Sequence, residues 1–434
     1  MSILGAMYAA VSGLNANSNA LGIISDNIAN SNTVGYKDAG ASFLDLVTQS
    51  GISGDYSPGG VQTATAYDIA QQGAIQSASS PTDLAISGGG FFVVNSNAAG
   101  EGGAGTTAYT RVGNFTVDAN GDLKNGDGQY LQGEMLTPAQ SQAIANGQSV
   151  TLSGTPISAL QTINVNSVSG AAQATANVTL GANLPANSTG TPQTVTVPIY
   201  DSLGVEHDMT VTFTPTGTAN QWSVSASFAN AGASTATIAA GDNTVQFNPD
   251  GTLDSAATTF NAANALSISW DPSVTGAATP QNVSFNLGTN GSSSGLSQLG
   301  SSFSVSSITQ DGVQLGTFSS VSVSANGVVT GNFSNGLTRP IAIVPLATFE
   351  NPNGLAPADG GNYIATADSG VPLIEQAETG AAGQIQSSSL ENSTVDIASE
   401  FSNLIVTQNA YQANSKVITV SDQMMQALLS IQTG

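Results

Sequence analysis

No proline or glycine interrupts the chain between Ser393 and Gln432. A stretch so free of breakers, with apolar residues every three or four positions, can settle only as one long helix. Its start is marked by Ser393-Thr394-Val395-Asp396, a Ser-x-x-Asp cap pattern. One apolar seam reads Ile397, Phe401, Leu404, Tyr411, Ile418, Met425 and Leu429, with Gln408, Ser415 and Asp422 at the intervening heptad places. A second reads Val406, Ala410, Ala413, Val417, Val420, Met424, Ala427 and Ile431. Two seams on one helix require two neighbours.

The N-terminal segment shows a single seam, Leu4, Met7, Val11, Leu14, Leu21 and Ile28, with Ser18 and Ser25 completing the spacing, and it stops near Asn30 to Gly35. Pairing the two ends as an antiparallel or staggered hairpin satisfies one seam of each and leaves the second C-terminal seam wet. Other copies of the chain are expected to supply the missing helices, and the seam residues are the expected assembly interface. The competing reading is a helical pair packed on its own β-domain. It is weakened by Gly5, Gly13 and Gly22, each of which lowers helix propensity by about 1 kcal/mol, because such a helix does not hold its shape without neighbours.

Between the ends the period changes. Residues 36–75, with Ser53-Gly54-Asp55-Tyr56-Ser57-Pro58-Gly59-Gly60, read as an irregular connector. Phe91 to Val94 reads as a buried strand, and Phe115 to Leu123 as strand, Asn-Gly turn, strand. The middle alternates most clearly: Val195, Val197 and Ile199 share a face, as do Trp222, Val224, Ala226 and Phe228, then Leu266, Ile268 and Trp270, then Val283, Phe285 and Leu287. Strands with one polar face predict an antiparallel sandwich or barrel. The expected architecture is mainly β with long terminal helices, nested as follows: a helical domain at 1–35 and 388–434, a core β-domain at 76–150 and 301–387, and an inserted β-domain at 151–300.

Charged residues make up 8% of the chain, and 28 acidic against 5 basic residues give a formal charge of −23. The cations Lys37, Arg111, Lys124, Arg339 and Lys416 are scattered, so neither nucleic acid nor an anionic membrane is an expected partner. Cysteine is absent, which excludes disulfides and thiolate metal sites. Met1-Ser2-Ile3-Leu4 lacks the basic and apolar regions of a cleaved signal, and no apolar run is long enough to span a membrane.

Enzymatic and metal readings find little support. Asp118-Ala-Asn120-Gly-Asp122 opens like a calcium loop, but Leu123 holds the sixth position, where such loops need glycine, and Gln129 the twelfth, where they need glutamate. It reads as a hairpin turn. Gly88-Gly89-Gly90 leads into a strand, whereas phosphate loops open a helix. His207 is the only histidine, and one imidazole on a strand builds no triad or metal cluster. No catalytic residue, metal or cofactor is expected.

Several motifs are more specific. Asn27-Ile-Ala-Asn30-Ser-Asn32-Thr33-Val-Gly35-Tyr36-Lys37 resembles the signature that ends the N-terminal helix in bacterial flagellar rod and hook proteins. The run from Thr82 to Gly90-Phe91-Phe92-Val93, and Tyr109-Thr-Arg111-Val-Gly113-Asn-Phe115, resemble the core β-motifs of that family. Glu391 to Asp396, then Gln408-Asn-Ala-Tyr411-Gln-Ala413-Asn414, resemble its C-terminal helix. Val178 to Leu184 and Val197 to Gly204 resemble the insertion of the hook branch. Asp38 and Asn409 depart from the family pattern, which often has basic residues at both places. The resemblance implies an exported structural subunit that assembles with many copies of itself into a curved tube. Its other implied partners are rod and hook–filament junction proteins, the export apparatus and an assembly cap, and its implied location is the extracellular flagellum. A rod or junction subunit and a secreted acidic adhesin or carbohydrate-binding β-protein are the alternatives.

Overall fold

The computed structural model describes residues 3–46, 59–98, 105–150, 156–168, 170–186, 190–228, 234–237, 243–260, 266–271 and 273–432. They divide into two compact units: residues 1–167, 320–331 and 339–434, and residues 168–319 with 332–338. The divide therefore falls later in the chain than the expected 151–300.

In the first unit, helix α1 (Ile3–Ala29) is followed by an antiparallel pair, β1 (Ala39–Leu46) and β2 (Gly60–Tyr67). The expected irregular connector is thus largely sheet. Residues 47–58, including Ser53 to Pro58, lie outside the described residues. The pair lies on α1: Ser12 Oγ accepts from Val61 N at 3.2 Å, and Asn19 Nδ2 donates to Thr63 Oγ1 at 3.1 Å.

The core of this unit forms around Phe91–Asn95. Phe92 pairs with Thr110 on one side and Leu346 on the other, and Val94 with Ala108 and Leu131. Both faces are covered, which is why four apolar residues run without alternation. Phe91 meets Phe349 and Tyr363 edge to face, and Phe92 meets Phe115 in the same way. Hairpin turns sit where Asn-Gly placed them: Asp118 Oδ1 accepts from Asn120 N and Asp122 N, and Gly121 takes φ +93°. A short helix, α2 (Pro138–Ala145), is opened by Thr137, whose Oγ1 accepts from Gln140 N. Ile75–Ser77 pairs with Ser389–Glu391, so the strand leaving the hairpin region lies beside the segment that enters the C-terminal helix α3 (Ile397–Gln432).

The second unit buries the alternating faces in one cluster. Val195, Val197, Ile199, Met209, Val211, Phe213, Trp222, Val224, Ile268, Trp270, Val283 and Phe285 all belong to it. Gln193–Tyr200, Glu206–Pro215, Gln221–Phe228 and Thr244–Gln246 form an antiparallel meander. One strand departs from antiparallel pairing: Asn177–Asn183 runs parallel to Gln281–Asn286 and Leu296–Ser297. Parallel neighbours need a long crossover, and the whole meander provides it. His207 Nε2 lies 3.0 Å from Asp201 Oδ2, with its ring 4.3 Å from that of Trp270, a packed position, and among the described residues no group of three or more His, Asp or Glu gathers there. Among all residues of this unit there is no Lys or Arg.

Candidate assembly interface

Three distant motifs meet where the two helices join the β-structure of the first unit. Glu391, fully buried, receives Lys37 Nζ on Oε1 and Arg111 Nη1 on Oε2, the latter at 3.0 Å. Its Oε1 also accepts from Gly73 N at 2.7 Å, and its backbone oxygen accepts from Gly35 N at 2.8 Å. Lys37 further donates to Gln71 O, and Arg111 to Gly88 O at 2.8 Å with its guanidinium 5.1 Å from the centre of the Phe91 ring. One carboxylate against two cations is tolerable in a dry interior only because these donors and acceptors are nearly all satisfied. Burial pulls the Lys37 ammonium below its usual range, and Glu391 pulls the other way.

The glycines of the motifs are explained by close approach. Gly35 has φ +69°, and a Cβ there would stand 2.9 Å from the Arg111 and Val112 backbone. A Cβ on Gly113 would lie 1.6 Å from Leu84 O. Gly90, at φ +110°, turns the chain into the Phe91 strand. Tyr109 and Phe115 fill the core.

Asn27 organises the turn after α1. Its Nδ2 donates to Ala39 O at 2.8 Å, while its Oδ1 accepts from Ala39 N and from the Tyr36 hydroxyl at 3.2 Å. Asn30 Oδ1 accepts from Thr33 Oγ1 at 3.0 Å, and Asn32 lines a polar cleft of about 490 Å³ with Gln76 and Asn392. Burial, then Asp26, raises the Tyr36 hydroxyl above its usual range.

The helices run antiparallel, fixed by Asn27 against Glu400 at one level and Gly13 against Asn414 at another. Asp396 caps α3, its Oδ1 accepting from Ala398 N and Ser399 N at 2.8 and 3.2 Å. The cap is thus Asp396 and not the expected Ser393, whose Oγ accepts from Val395 N.

The face that α1 buries within its own chain is made of Ala10, Gly13, Ala16, Asn17, Ala20, Ile24 and Asn27, not of the large residues expected. Leu4 and Val11 are exposed, and Met7, Leu14, Leu21 and Ile28 half-buried. Small side chains let two helix axes approach closely, and the larger residues are left at the margins. On α3, Leu404, Ile418 and Met425 are half-buried with Asn414, while Glu400 and Ser421 are buried. Ile397, Phe401, Tyr411, Val417 and Leu429 remain exposed, as do Val406, Val420, Met424, Gln408 and Ala413. Glu400 had no role in the sequence reading, and Glu391 only a place at the start of the C-terminal motif. The available signal was that Lys37 and Arg111, two of only five cations, both fall inside motifs.

Residues 7–37 match the flagella basal body rod protein family, and 386–431 the flagellar basal body rod FlgEFG protein C-terminal region. Residues 85–183 match the flagellar hook protein FlgE/F/G D1 domain, and 172–313 the flagellar basal body protein FlaE D2 domain. Terminal helices joined at one charged root, with these four matches in order, define an axial protein of the flagellum. Flagellar hook protein FlgE of Rhizobium meliloti strain 1021 is 34% identical, over 99% of this chain and 100% of its own length. That of Escherichia coli K12 is 33% identical, over 97% and 98%, and that of Borreliella burgdorferi 31% identical, over 98% and 99%. The chain belongs to the flagellar hook protein family.

Proposed function

We propose that the chain is the structural subunit of the flagellar hook, polymerising with copies of itself into a curved tube that passes torque from rod to filament. The observation that carries this reading is the exposed second seam of α3, Val406, Val417, Val420 and Met424. Burying apolar surface yields about 25 cal/mol per Å², and this stripe stays exposed among the described residues of its own chain. The seam residues from Leu4 to Ile28 and from Ile397 to Leu429 are the assembly interface, α1 and α3 forming the inner wall. The unit at 168–319 and 332–338 meets its like in other copies. With no Lys or Arg in it, contacts between this part and its like in other copies contain no Lys or Arg ion pairs and can shift without breaking them.

On this reading the protein is exported without a cleaved signal peptide. It meets the export apparatus, an assembly cap, and rod and junction proteins, and it carries out no catalysis and holds no cofactor. Electron microscopy of the purified protein at high concentration tests it. Long tubes of one subunit are expected; monomers that bind glycans would favour an adhesin instead.

A further inference from the structure

The strand Ile75–Ser77 is paired along one edge only, with Ser389–Glu391. Asn392 N donates to Ala74 O at 2.9 Å and Ala78 N to Ser388 O at 2.7 Å, which sets the alternation of the ladder. Gln76 therefore turns its backbone groups toward Leu390, while Ile75 and Ser77 turn theirs to the open edge, where they meet no hydrogen-bond partner among the described residues. The far edge of Ser389–Glu391 is closed, by Gly35 N on Glu391 O and by Ser389 N on Asp83 O. Beside the open edge lies the polar cleft already described, lined by Ala74, Gln76, Ser77 and Asn392 of the pair and by Asn32 and Val34 after α1, with no charged side chain in its lining.

A second open edge belongs to β1. Asp68 N donates to Asp38 O at 3.3 Å, so in the register of β1 with β2 the backbone groups of Gly40, Ser42 and Leu44 face β2 and those of Ala39, Ala41 and Phe43 face away. Asn27 takes both groups of Ala39. Those of Ala41 and Phe43 meet no partner among the described residues. Phe43 and Leu44 are 50% and 52% exposed. Proteins usually blunt such an edge with charge or proline, and Ala39 to Leu44 has neither.

We propose that in the polymer β1 of one copy adds to the open edge of Ile75–Ser77 of a second copy, Ala41 and Phe43 exchanging backbone hydrogen bonds with Ile75 and Ser77. This rests on the self-assembly reading and adds what that reading lacks, a directional bond. Apolar seams tolerate sliding by a heptad, whereas a ladder slipped by one residue turns every side chain to the wrong face. Strand addition draws its affinity from main-chain hydrogen bonds, which suits a contact without charge on either side: the stretch Ala39 to Ser42 is small and neutral, and so is the lining of the cleft it would border. Both edges flank the roots of the helices that form the proposed interface.

The test grows tubes from the full-length protein and reads amide hydrogen exchange residue by residue, with the critical concentration measured by sedimentation. In the monomer the amides of Ala41, Phe43, Ile75 and Ser77 should exchange freely; in tubes all four should be protected. Protection confined to Gly40, Ser42, Leu44 and Gln76 would show ordering without strand addition and overturn the proposal. Protection of Ile75 and Ser77 without Ala41 and Phe43 would put another segment in the site and overturn it as well. Proline is tolerated where the N–H faces outward from an edge strand, so Ser77→Pro should keep the urea midpoint of the monomer while raising the critical concentration roughly tenfold. Ala41→Pro should do the same, and Ser77→Ala, which keeps the amide, should polymerise as wild type. Equal impairment in Ser77→Ala and Ser77→Pro would assign the effect to the side chain and sink the idea, as would a wild-type threshold in both proline variants. The exchange measurement needs no variant and decides the matter if a proline variant misfolds. Failure of the wild type to form tubes counts against the assembly reading instead.

Discussion

Gly13 of α1 lies so close to Asn414 of α3 that a Cβ on the glycine would stand 2.7 Å from the Asn414 side-chain nitrogen. The obstacle is the end of a side chain, which can swing aside. Gly13→Ala should therefore stay within about 1 kcal/mol of wild type, since Ala also gains about that much helix propensity. Gly13→Leu has no such escape and should separate the helices, seen as lost helicity at 222 nm and failure to polymerise. Normal tubes from Gly13→Leu would show that the close approach is not required.

Glu391→Gln leaves Lys37 and Arg111 buried without a counter-charge. Breaking a buried pair from one side costs about 3–5 kcal/mol, so the variant should unfold at markedly lower urea. Limited proteolysis should release both helical ends before it cuts the β-structure. A midpoint shift of under about 1 kcal/mol in free energy would mean that the cluster is not holding the helix roots.

Glu400 makes the helical pair pH-dependent. Burial, and then the repulsion of Asp38, raises its carboxyl above the ordinary 4.5, with Asn27 opposing. The folded pair therefore binds the proton more tightly than the unfolded chain. Its contribution is full below the ordinary value and is lost as pH rises through the raised one. Melts followed at 222 nm should show wild-type helices weakening as pH rises above the ordinary carboxylate range, whereas Glu400→Gln should lack that step and melt higher at neutral pH. Parallel pH profiles in the two proteins would refute this.

Proline at Leu404 or Val417 removes a backbone donor inside α3 and should cost about 3 kcal/mol or more. Both β-containing units bury their own cores, so strand signal in circular dichroism should persist while tubes fail to form. Normal tubes from either variant would remove α3 from the assembly.

The sequence made α3 legible because nothing in it can end a helix, and it made the alternating strands of the second unit legible because Trp222, Val224, Ile268 and Trp270 must share one dry side. The pair β1–β2 was not legible. Its residues, mainly Ala, Gly, Ser and Thr with exposed Phe43 and Leu44, lack the apolar alternation that marks a half-buried strand. The cap was misplaced by three residues because Ser393 and Asp396 can both cap. The face of α1 was misread for a deeper reason: size ranks residues by how much they gain from burial, but where two backbones come close, small side chains decide. The triad of Lys37, Arg111 and Glu391 joins positions far apart in sequence, brought together by contacts such as the pairing of Ile75–Ser77 with Ser389–Glu391 and the bond from Gly35 N to Glu391 O.

The small-residue seam between α1 and α3 has a consequence for how a tube begins. A contact built from Ala10, Gly13 and Ala20 is weak glue, whereas Phe401, Val406, Val417 and Met424, the adhesive residues, face outward. An isolated copy thus has little to hold its helices in shape, and an arriving copy finds a mould already set by those before it. Ordering of the helices and growth of the tube become a single cooperative event with a concentration threshold. Stray subunits below that threshold stay apart, and elongation is confined to an existing end.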